Sequence, residues 1–147
     1  MKRSQLACVT LAALALSAVL HADSPLTSTD LASAYAEIPA VKEALAGRRM
    51  TPGILRVLTA DGPNDRKAAV VNALGWQSPG NALAFLNGLA AARGVVPDDI
   101  TLAQLTAADR FVLGYMLALE TYASPDALRP GTRDVWGATP MQLLDQA

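Results

Sequence analysis

The chain has 147 residues, of which 52% are hydrophobic, 17% charged and only 5% aromatic, with a formal net charge of −1. This is enough chain for one core and too apolar for disorder, while the balanced charge leaves no basic face for nucleic acid. With aromatics scarce and alanine abundant, the composition predicts helices packed at close range, because alanine favours the helix and lets axes approach.

Met1 to Arg3 is a basic start, Leu6 to Leu20 an apolar run, and Leu20-His21-Ala22 resembles a small-residue cleavage site followed by Asp23-Ser24-Pro25. Together they predict a bacterial-type Sec signal peptide over 1–22 and a single helical domain over 23–147. Cys8 sits too early, in a poor lipobox, to carry a lipid. The expected location is periplasmic or secreted, with no membrane attachment after cleavage. Removing 1–22 takes away the one cysteine, the one histidine, Lys2 and Arg3, leaving 10 basic against 13 acidic residues, or −3.

The first helical pattern runs from Leu31 through Tyr35, Ile38 and Leu45, with Thr29 or Asp30 as cap and Gly47 as the stop. Pro39 either kinks it or divides it in two. Thr51 caps and Pro52 opens the next helix, about 52–60, with Ile54, Leu55 and Leu58 on its buried face. The cluster Ala60-Asp61-Gly62-Pro63-Asn64-Asp65 is a turn and marks a joint. It lacks the alternating ligands of a calcium loop. After it, Ala68, Val70, Val71 and Leu74 lead to a stop at Gly75, with Trp76 folding back as a lid over Val71.

Ser78-Pro79 opens a helix over 79–93 carrying Leu83, Phe85, Leu86 and Leu89. Gly88 inside it predicts a close crossing with another helix, since glycine there costs about 1 kcal/mol against alanine. Gly94 stops it, and one turn at 101–105 leads into Thr106 to Ala123. This stretch is apolar on every side from Phe111 to Leu119, so it must be surrounded. Thr106 and Asp109 form its capping pair. Ser124-Pro125 opens a further turn, and Thr139-Pro140 opens a last helix with Met141, Leu143 and Leu144. No segment alternates strongly enough for a strand. The expected fold is all-α, a compact bundle of about six short helices around the central apolar helix 106–123.

Without histidine or cysteine, the mature chain excludes a Ser-His-Asp or Cys-His centre, an ordinary zinc site and disulfide exchange. Neither a metal nor a cofactor is expected. Asp109 and Glu120 stand about 16 Å apart along one helix at 1.5 Å per residue, too far for a glycosidase pair. They read as a dipole partner and a solvated charge. Lys42 and Lys67 are the lysines available for a Ser-Lys pair, and neither lies in an apolar setting.

The leading expectation is a non-catalytic protein-binding module, of inhibitor, immunity or adaptor type, whose partner is another envelope or extracellular protein. The irregular stretch 129–138 would carry it through Arg129, Arg133, Asp134 and Trp136, since Arg and Trp anchor interfaces. The competing expectation is a small-ligand carrier or histidine-free enzyme with a cavity between helices 79–93 and 106–123, lined by Phe85, Tyr115, Met116 and Tyr122.

Overall fold

A computed structural model describes residues 29–76, 78–121 and 134–147. The expected signal peptide, Tyr122, the Ser124-Pro125 turn, Arg129 and Arg133 lie outside the described residues. Seven α-helices are formed within them: α1 (Leu31–Ala34), α2 (Pro39–Gly47), α3 (Pro52–Thr59), α4 (Asn64–Leu74), α5 (Asn81–Arg93), α6 (Ala107–Glu120) and α7 (Pro140–Leu144). Short 3-10 turns occupy Pro97–Asp99, Leu102–Gln104 and Asp134–Gly137. Among the described residues no strand is formed, so the all-α expectation holds, with one α-helix more than the sequence suggests.

The additional helix comes from Pro39, which divides rather than bends the first pattern: it takes the first position of α2, behind Ile38 in extended conformation. Proline has no N–H to lose there. Gly47 is still helical, and the residue that leaves the helix is Arg48, at φ 53. The expected glycine stop is therefore displaced by one residue, onto a side chain that disfavours the left-handed region.

Three Thr caps form as their spacing requires. The hydroxyls of Thr51, Thr106 and Thr139 accept from the backbone N–H groups of Ile54, Asp109 and Gln142, at 3.1, 3.1 and 3.2 Å. The latter two complete capping boxes, with Asp109 and Gln142 returning to the cap N–H. Ser78-Pro79 does not follow the pattern. There α5 begins two residues later, behind Gly80 at φ 102, a conformation only glycine adopts freely.

Helix α6 is enclosed as its composition demands. Helices α3, α4, α5 and α7 all pack on it, and Val112, Leu113, Tyr115, Met116, Leu117 and Leu119 are buried. The crossings are close where glycine permits. A Cβ on Gly88 of α5 would stand 2.3 Å from Leu55 Cδ2 of α3, and one on Gly114 of α6 would stand 3.0 Å from Leu143 Cβ of α7.

Helix α4 is the second hub, packing on α1, α2, α3 and α6. From it Asn72 accepts the Ala32 N–H at 3.0 Å and donates to the Thr29 carbonyl at 3.0 Å and the Tyr115 hydroxyl at 3.3 Å. One amide thus fastens the start of α1 to the core.

Candidate functional site

The cavity with the most chemistry lies between α5 and α6, at the end where α5 finishes and α6 begins. Its volume is about 280 Å³, and its walls are Thr59, Ala60 and Asp61 after α3, Lys67 of α4, Leu89, Ala92 and Arg93 of α5, and Thr106, Ala108 and Asp109 at the start of α6. This is the helix pair expected from the sequence, at a different level. Phe85, Met116 and Tyr115 do not line this cavity; they are buried in the core, at 0%, 2% and 6% exposure. Tyr115 meets Phe111 with ring centroids 6.3 Å apart, and its hydroxyl is taken up by Asn72. These three side chains fill space instead of enclosing it.

Four charged side chains line the cavity, and they are not equivalent. Arg93 and Asp109 form an ion pair, Nη2 to Oδ2 at 2.5 Å. The same oxygen accepts the Thr106 N–H at 2.9 Å, so the carboxylate is committed to both the helix cap and the guanidinium. Lys67 and Asp61 have no such commitment. The Lys67 residue is only 4% exposed, its stem buried and its ammonium keeping contact with the cavity, and among the described residues that ammonium has neither an ion-pair nor a hydrogen-bond partner. Arg93 Nη1 is buried without a partner. Buried donors are ordinarily satisfied, and a cation on a buried stem is ordinarily paired. Lys67 thus brings a charge with no protein partner to the cavity wall.

The sequence reading placed Lys67 outside any apolar setting, whereas the residue is buried. A signal for its burial exists: Lys67 stands three, four and seven residues before Val70, Val71 and Leu74, on their face of α4. Asp61 carried no such signal, since its turn is exposed.

Glu120 was read as a solvated charge and is instead 1% exposed. Its carboxylate accepts the Gly80 and Ala82 N–H groups at 3.1 and 2.8 Å, capping α5 from the far end of α6. Burial pushes its carboxyl above the usual range, against the lowering effect of these hydrogen bonds.

The expected docking loop fares differently residue by residue. Asp134 opens a 3-10 turn. Trp136 is 5% exposed and donates from Nε1 to the Pro97 carbonyl at 3.1 Å, so it covers the bundle rather than presenting an anchor. The exposed indole is Trp76, at 40%. Gly75, at φ 72 and ψ 173, is not in the conformation of the expected Schellman-type cap. With Leu45, Arg48, Asn72 and Leu119, Trp76 lines a second groove of about 240 Å³.

Among the described residues no group of three or more His, Cys, Asp or Glu side chains could hold a metal ion, and no helix is long and apolar enough to cross a membrane. The chain matches no protein-family model, no curated protein and no solved structure.

Proposed function

We propose that the protein is a non-catalytic binding protein that holds a small anionic group between α5 and α6. The observation that carries this reading is Lys67, whose stem is buried while its ammonium meets the cavity with no partner of its own. A ligand anion would supply the counter-charge that no protein group provides there. The cavity lies just below the range of roughly 300 to 1,000 Å³ usual for small-molecule sites, so the ligand is small.

Substitution of Lys67 by Met separates function from stability. The apolar side chain replaces the buried stem, so Lys67→Met keeps the free protein folded with little change in melting temperature. In the same variant, the stabilisation that acetate or inorganic phosphate gives the parent chain is lost. No shift of the parent's melting temperature with either anion would overturn the reading.

A second reading, docking on another envelope or extracellular protein, is favoured by the Trp76 groove, where an exposed indole stands with Arg48 and Leu45, the latter 39% exposed. On this reading Trp76→Ala weakens partner capture and leaves the fold intact. Export remains part of the proposal, and intact-mass measurement of the native product should find a chain beginning at Asp23.

A further inference from the structure

We infer that the ligand carries both signs of charge on one small frame, as a free α-amino acid does. This rests on the cavity being the binding site and names what enters it. The charges on its walls divide into one pair already satisfied, Arg93 with Asp109, and two that are not. Lys67 is cationic, its stem buried and its ammonium at the cavity, whereas Asp61, in the turn after α3, is exposed and anionic. Each lines the cavity, neither has a hydrogen-bond or ion-pair partner among the described residues, and they do not pair with each other.

A simple anion bound at Lys67 would lie in a cavity that also contains the Asp61 and Asp109 carboxylates, and like charges in a confined space repel. A simple cation would meet Lys67 and Arg93 on the same terms. A zwitterion resolves both conflicts. Its carboxylate accepts from Lys67 Nζ, and its ammonium turns toward Asp61. The hydroxyls of Thr59 and Thr106 supply further polar partners. The remaining wall is Ala60, Leu89, Ala92 and Ala108, suited to a short aliphatic side chain and offering nothing to a third charge.

Calorimetric titration of the intact chain with glycine, L-alanine and L-valine, against propionate and ethylammonium as the two halves, tests this. At least one amino acid should bind more tightly than either half-ligand. Asp61→Asn, which alters an exposed turn residue, should weaken amino-acid binding by about fivefold, or ~1 kcal/mol, and leave propionate unchanged or improved. Lys67→Met should abolish both. If propionate binds as well as the amino acids and Asp61→Asn changes nothing, the ligand is a plain anion and the zwitterion is overturned while the site stands. If acetate and phosphate bind but no amino acid does, the zwitterion also falls. Binding by none of these compounds would remove both site and ligand.

Discussion

Glu120, the last residue of α6, accepts the backbone N–H of Ala82 in the first turn of α5 at 2.8 Å. With its second oxygen on Gly80 N–H, it caps a helix whose own N-cap, a glycine, has no side chain to offer. The carboxylate also lies at the positive end of the α5 dipole. Glu120→Ala should therefore cost about 3 kcal/mol, since it strands buried N–H donors as well as removing contacts. Urea unfolding measures this directly.

The pH dependence of that cap has a definite sign. Desolvation, the largest influence on Glu120, raises its folded pKa above the ordinary 4.5. A carboxyl raised on folding is protonated more readily in the native chain, so its titration favours the fold below the unfolded value. That gain is lost as pH rises through the folded value. The stability difference between the parent and Glu120→Gln should thus shift toward the parent between about pH 7 and about pH 4. A shift in the other direction would mean that the backbone donors outweigh burial.

At the α3 and α5 crossing, Gly88→Ala should destabilise although alanine is the better helix former. The new methyl would fall 2.3 Å from Leu55 Cδ2 and 2.7 Å from Cδ1, and overpacking of this kind costs about 1–3 kcal/mol against a propensity gain of about 1. Leu55→Ala in the same chain removes the clash. The double variant should accordingly be less destabilised than the sum of the single ones, a coupling read from a four-member cycle.

Two left-handed positions bracket the Trp76 groove, and they should respond oppositely. Gly75 has φ 72 and ψ 173, a region essentially restricted to glycine, and its Cβ would come 2.5 Å from Arg48 Nη1. Gly75→Ala should cost about 1–3 kcal/mol. Arg48, at φ 53, is the one non-glycine residue with positive φ among those described. Arg48→Gly should relieve about 1 kcal/mol of backbone strain, while removing a charge from the groove. Thermal unfolding of the two variants checks both signs.

What was legible in the sequence was local. Thr51, Thr106 and Thr139 reveal their helices because the capping partner lies three residues away. The enclosure of α6 follows from an apolar run that no single face can hide. Gly88 announced a crossing because a glycine inside a helix is costly without a neighbour close by. The cap of α5 was not legible, because its partner Glu120 lies 38 residues from Ala82, and no local pattern links the two. Arg48 took the left-handed position beside an available Gly47 for the same kind of reason: its carbonyl is held by Asn81 Nδ2, 33 residues on, at 3.1 Å. Phe85, Tyr115 and Met116, expected along a cavity, are buried in the core. An aromatic and methionine stripe marks where side chains fill space, whereas unsatisfied charge marks where space is left.

The chain's two tryptophans provide the last prediction, because they differ in exposure. Trp136 is buried with its indole N–H on the Pro97 carbonyl, and Trp76 is 40% exposed. Trp136→Ala should cost about 3–5 kcal/mol through the cavity it leaves. Trp136→Phe keeps most of the packing and removes one of two donors to the Pro97 carbonyl, the Ile100 N–H remaining at 3.4 Å, so it should cost about 1 kcal/mol. Fluorescence distinguishes the two sites without relying on stability. With Trp136→Phe, the remaining emission comes from Trp76 and should be red-shifted and readily quenched by acrylamide. In the Trp76→Phe variant it should be blue-shifted and protected. Ready quenching of Trp136 in that folded variant would return it to the surface and revive the 129–138 stretch as the docking loop.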